Sequence, residues 1–205
     1  MNEQKLKDAE DRFLKRYPGG FAHPEMEAIA RKHKMDAMIE LCQSAFKKNA
    51  FKDEAAICDT MVKVVSRASM VSMFEKPKFR DFVAAASPVE HQALAAGLKA
   101  LLHGSQKNGL QSLVDILKPA KLAKWSLVTI IPNYFRPSDE VFVKPTTAKG
   151  VIEFFELPGL TYKAEPSWEF YQAYREAIQE MKSRVDPLLA PSNAAFCGFL
   201  MMSLK

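Results

Sequence analysis

The segment FVKPTTAKG, residues 142–150, sets Lys144 and Lys149 around Pro145, Thr146 and Thr147. Proline is favoured at the first position of a helix, so Pro145 predicts a helix start. The backbone N–H groups of Thr146, Thr147 and Ala148 would then lack helical partners and point outward, making an anion site flanked by the two lysines. The threonine hydroxyls would add donors. A helix cap by Thr146 or Thr147, with both lysines solvated, is the structural alternative. Upstream, Lys118, Lys121 and Lys124 recur every third residue, which on a continuous helix would align them roughly along one face.

Charge singles out the same region. Residues 118–149 hold six Lys and Arg against two acids, a net of +4 in 32 residues, whereas residues 1–100 hold 17 against 14. The whole chain of 205 residues carries +5. Lys118, Lys121, Lys124, Lys144, Thr146, Thr147 and Lys149 are therefore the expected surface for DNA, RNA or another polyanion. Phosphate contacts of this kind position a protein without reading base sequence.

Other chemistry finds little footing. GxxxxGK[ST], G-x-S-x-G, H-E-x-x-H and the dinucleotide glycine fingerprint are all missing, so no catalytic residue and no cofactor is assigned. His23, His33, His91 and His103 have no metal-ligand spacing with one another or with the cysteines. Asp139 and Glu140 fall on a turn, where exposure is the default. RKHKM, residues 31–35, reads as a solvated helix face. Trp168, Tyr171 and Tyr174 share one helical face and read as core rather than as a base-stacking platform.

The elements that must position these residues are helical. Periodicity of 3.6 dominates, which predicts a mainly α, single-domain bundle of about eight or nine helices, with 1–117 and 118–205 as candidate lobes. The first helix spans about 2–16 and stops at YPGGF. A second runs from Pro24 to about Lys48, interrupted near His33, and a third covers about 52–74 before Pro77 breaks it. Ser87, Pro88 and Glu90 form a capping-box pattern, and Gly104 is placed to be a left-handed C-terminal residue. A short helix at 107–117 precedes one opened by Pro119, which Pro132 should kink or end. VFV, residues 141–143, predicts a short extended piece. Helices at about 146–156, from Pro166, and from Pro191 complete the chain.

Cys42, Cys58 and Cys197 include no C-x-x-C pair and suit reduced, buried thiols in a cytoplasmic protein. The charged start MNEQKLKDAEDRFLKRY lacks a secretory pattern, and no apolar run nears the roughly 20 residues that span a bilayer, so no membrane partner is expected. The ten methionines allow a protein-interaction or assembly module as an alternative function. An enzyme with a pocket assembled from distant residues is the third reading.

The stretch KWSLVTIIPNYFRPSDEVFVKPTTAKGVIEFF, with YPGGF and PSWEFYQAY, resembles a family of uncharacterised bacterial proteins of similar length. The likeness is strongest from Trp125 to Tyr174. Phe142, Lys144, Pro145 and Lys149 match that family's block, and Ala148 stands where it has threonine. More remotely, the order of apolar helix, Pro137–Asp139 turn, Val141–Val143 and then Trp168 and Tyr171 is similar to helix-hairpin-helix DNA glycosylases. No carboxylate stands near Lys144–Pro145 and no glycine-bearing hairpin precedes Trp125. The resemblance to the uncharacterised family bears on fold and leaves chemistry open; base excision by the glycosylase route is not expected here, whereas a DNA-binding descendant of that fold would keep the basic surface.

Overall fold

Ten consecutive residues, Trp125 to Tyr134, are buried in a single helix, and the rest of the molecule is arranged around it. A helix apolar on nearly every side has no solvent face to offer, so it must be surrounded. The computed structural model describes residues 1–204 and contains eleven α-helices among them, with no strand. They are α1 (Glu3–Arg16), α2 (Pro24–His33), α3 (Met35–Ala45), α4 (Glu54–Arg67), α5 (Glu75–Ala85) and α6 (Pro88–His103). The chain continues with α7 (Gln106–Leu117), α8 (Trp125–Phe135), α9 (Pro145–Phe154), α10 (Trp168–Lys182) and α11 (Asn193–Ser203).

Helix α8 is the buried one. It packs against α3, α4, α6 and α7, while α11 packs against α1, α9 and α10. Buried side chains from Leu6 to Leu200 form one continuous core cluster. Helices α6 and α7 make the most extensive pair, and Gly109 is what lets them close: a Cβ there would lie 2.2 Å from the backbone nitrogen of Leu101. The polar residues of α8, Ser126, Thr129 and Asn133, follow helical spacing along one stripe. Thr129 Oγ1 donates to the Trp125 carbonyl at 2.6 Å and accepts from the Val143 N–H at 3.1 Å. That one hydroxyl ties the first turns of α8 to the irregular segment leading into α9.

The helix count rises from the expected eight or nine to eleven for local reasons. Lys34 adopts a left-handed conformation (φ 52°) and divides the second expected helix into α2 and α3. The third ends at Arg67, and Pro77 lies in the first turn of α5, where a missing N–H costs nothing. Pro77 therefore belongs to a helix start and breaks no helix. Pro119 opens no helix, since α8 begins at Trp125, and α8 then runs through Pro132 to Phe135. The Ser87–Glu90 capping box forms as expected, but Gly104 has φ −142° rather than a left-handed angle. Val141–Val143 has no regular secondary structure and forms no strand, and Ser167, not Pro166, caps α10.

Candidate functional site

Lys118, Lys121 and Lys124 do not share a helix. Lys118 caps the C-terminal end of α7, where the Leu122 N–H bonds back to the Leu117 carbonyl at 2.9 Å and Lys121 turns left-handed at φ 58°. This six-to-one closure with a left-handed residue is how helices commonly terminate, so the three-residue period ends with α7. Lys124 is the N-cap residue of α8. The triplet is spread around a turn, and all three side chains are exposed.

The second half of the expected surface keeps more of its geometry. Pro145 is the first residue of α9 and Lys144 is its N-cap, with no side chain capping the end. Neither Thr146 nor Thr147 takes that role, because both already lie inside the first turn. Their N–H groups have no partner within the helix, whereas the Ala148 N–H bonds to the Lys144 carbonyl at 2.8 Å. Thr146 is exposed and Thr147 half-buried. Lys149 lies over the ring of Tyr162, 5.1 Å from its centroid.

A segment invisible to sequence spacing gathers these residues. Leu160–Pro166 runs as an irregular strap across the indole of Trp125, whose Nε1–H donates to the Lys163 carbonyl at 2.7 Å. At one end of the strap Tyr162 sits under Lys149; at the other Glu165 pairs with Lys118 Nζ at 2.7 Å. Tyr162 and Glu165 are three residues apart, at most about 11 Å of chain, so Lys118 at the end of α7 and Lys149 of α9 both contact the same short strap. Exposed Lys163 lies between them. The Thr129 link holds Lys124 and Lys144, each at a helix N-terminus, on the two elements that meet there. Lys163 and Tyr162 escape sequence reading because only the packing of Trp125 fixes the strap. The ion pair raises the Lys118 pKa, chiefly through its hydrogen bond to Glu165, and keeps it charged.

Glu140 departs from expectation altogether. It is 1 % exposed, whereas Asp139 beside it is exposed as expected. Oε1 accepts from Gln106 at 2.6 Å and from Arg136 at 2.8 Å; Oε2 accepts from the Tyr171 hydroxyl at 2.7 Å and from Arg175 at 2.9 Å. Its backbone carbonyl accepts from Asn193 Nδ2 at 3.0 Å. The buried carboxylate thus joins the α8–α9 connection to α7 and α10, and the carbonyl of the same residue joins it to α11. Desolvation, followed by the charge of Glu140 and the bond to it, pushes the Tyr171 pKa well up, so the phenol stays a donor. Arg175 also lies over the rings of Trp168 and Tyr171, at 5.5 and 5.4 Å.

A recess of about 490 Å³ opens beside this cluster, lined by Arg136 and Arg175 but also by Asp139, Glu140 and Glu176. Its mixed charge selects neither anion nor cation. With two bonds already at each oxygen, Glu140 has no acceptor position left for proton transfer from a substrate. The cluster is an anchor for the RPSDE turn, and the only sequence hint of it was the four-residue spacing of Arg136 and Glu140. The histidines are likewise engaged: His91 and His103 each bond a backbone carbonyl, at 2.9 and 2.8 Å, and His23 caps α2. Trp168 is half-buried, and Tyr171 and Tyr174 are core, as their stripe predicts. No helix among the described residues is long and apolar enough to cross a membrane.

Comparison with protein-family models, with curated proteins and with solved structures finds no match to this chain.

Proposed function

We propose that this protein binds nucleic acid or another polyanion through the surface organised by the Leu160–Pro166 strap. The observation that carries the reading is the convergence of Lys118 and Lys149, from α7 and α9, on a strap that itself bears Lys163. Lys124 and Lys144 extend the surface at two neighbouring helix N-termini, where unpaired N–H groups and the helix dipole also favour negative charge. Lys121, in the turn between Lys118 and Lys124, and Thr146 and Thr147, in the first turn of α9, belong to the same proposed surface. The remote resemblance of residues 125–174 to helix-hairpin-helix DNA glycosylases stands as part of the proposal.

The test is a fluorescence-anisotropy titration of labelled single- and double-stranded oligonucleotides across a range of salt concentrations. About five phosphate contacts should give a slope of log affinity against log salt of about −4.5 on a duplex. The variant Lys144→Glu/Lys149→Glu, both at exposed positions, should keep its helical circular dichroism and lose most of the affinity. Salt-independent binding, or equal binding by a folded variant, would sink the reading.

A further inference from the structure

Two large apolar side chains project from the turn between α4 and α5. Met73 and Phe74 are each 74 % exposed, and every other aromatic among the described residues is buried or half-buried. The turn presenting them is ordered by its own bonds: Ser72 Oγ accepts from the Phe74 N–H at 3.3 Å, and the Ser72 carbonyl accepts from the Glu75 N–H at 3.0 Å. Val71, 4 % exposed, roots it in the core.

Both ends of this turn are tied to cationic parts of the protein. On one side Ser69 Oγ lies 2.7 Å from Nδ1 of His33, in the run Arg31–Lys34 whose three other residues are exposed cations. On the other, Glu75 Oε2 accepts from Ser126 Oγ at 2.5 Å, two residues beyond Lys124 of the proposed polyanion surface. Lys78, exposed in the first turns of α5, adds charge beside the tip. The turn that carries the apolar pair is thus bonded at its two ends to segments that carry cations, with the Glu75 carboxylate next to Phe74 engaged by Ser126.

We infer that Met73 and Phe74 form a base-stacking wedge, and that the polyanion is a nucleic acid offering unpaired or unstacked bases. This rests on the polyanion reading above and names its ligand. Apolar wedges beside phosphate-binding cations are how proteins hold unstacked bases, and a single aromatic ring suffices for one base. A second copy of this chain is a poorer occupant: a stable interface buries about 800 Å² per partner, and a Phe supplies at most roughly 250 Å². A lipid surface is poorer too, because an interfacial anchor offers a whole apolar helix face rather than one pair of side chains.

The test compares wild type, Phe74→Ala and Phe74→Trp on single-stranded oligonucleotides carrying 2-aminopurine, reading both affinity and the base's fluorescence. Phe74→Ala should weaken binding about 5- to 150-fold, equivalent to ~1–3 kcal/mol, leave the salt slope unchanged, and remove the change in 2-aminopurine emission. Phe74→Trp should restore both. If wild type binds with a steep salt slope but Phe74→Ala matches it, the wedge is overturned and the polyanion surface stands. Failure of wild type to bind any oligonucleotide at low salt overturns both. Binding of wild type to anionic phosphatidylserine vesicles but not to oligonucleotides, lost in Phe74→Ala, would assign the tip to a lipid surface instead.

Discussion

Glu140 shows what one residue settles. A carboxylate taken from water must be matched by charge and hydrogen bonds, and here two guanidiniums, a phenol and an amide supply them. Its replacement by Gln would leave Arg136 and Arg175, which keep only 33 % and 19 % of their side chains exposed, without their counter-charge. Glu140→Gln should therefore cost about 3 kcal/mol, read from the urea midpoint of unfolding. The double variant Glu140→Leu/Arg175→Met should lose less than the single one, since it strands only Arg136, the more exposed of the two guanidiniums, where the single variant strands both. A single variant as stable as wild type would mean that the cluster contributes no net stability. The sequence hides this residue because a turn containing Arg, Pro, Ser and Asp looks solvated, and the partners that bury Glu140 lie more than thirty positions away on α7 and α10.

Among the elements, features governed by local chemistry are legible and those governed by packing are not. The Ser87–Glu90 capping box and the Pro145 start of α9 appear as expected, because side chain and backbone partner lie within one turn. Pro77 and Pro119 illustrate the ambiguity of proline, which suits a first turn as well as it ends a helix. The basic face read from Lys118, Lys121 and Lys124 dissolves for the same kind of reason: the period is real, but α7 closes before it can act. What replaces it, the strap over Trp125, is tertiary. The α6–α7 pair is another tertiary feature, since Gly109 carries no mark of its role in the sequence. Gly109→Ala should force the two helices apart at the Leu101 backbone, costing about 1–3 kcal/mol. That corresponds to a fall in Tm of about 2–4 °C for each kcal/mol, measurable by calorimetry, and an unchanged Tm would mean that the crossing relaxes freely.

At the scale of the whole molecule, the mainly α class is legible from periodicity, and the expectation of buried thiols holds for Cys42 and Cys58, whereas Cys197 is only partly buried; the two buried thiols help set the response to alkali. Cys42 and Cys58 are both 0 % exposed, and burial pushes their pKa from 9.0 up to about 12 and about 11. Burial also raises Tyr134, Tyr171 and Tyr174 above the ordinary 10.0. In each case the unfolded chain releases its proton at a lower pH than the folded protein does. Above pH 9 the unfolded state therefore binds fewer protons, and stability, fully present below that point, declines as pH rises through the folded values. Between pH 9 and 10 each of the two thiols should contribute a loss of up to about 1.4 kcal/mol, with the tyrosines adding to the decline above pH 10. Urea midpoints taken at pH 8, 9 and 10 read this directly. The variant Cys42→Ala/Cys58→Ala starts from a lower stability because it leaves small cavities, so the informative quantity is its slope with pH, which should be shallower than wild type. Parallel slopes would mean that the thiols are reached by solvent in the native state and that the core around α3 and α4 opens more readily than its packing implies.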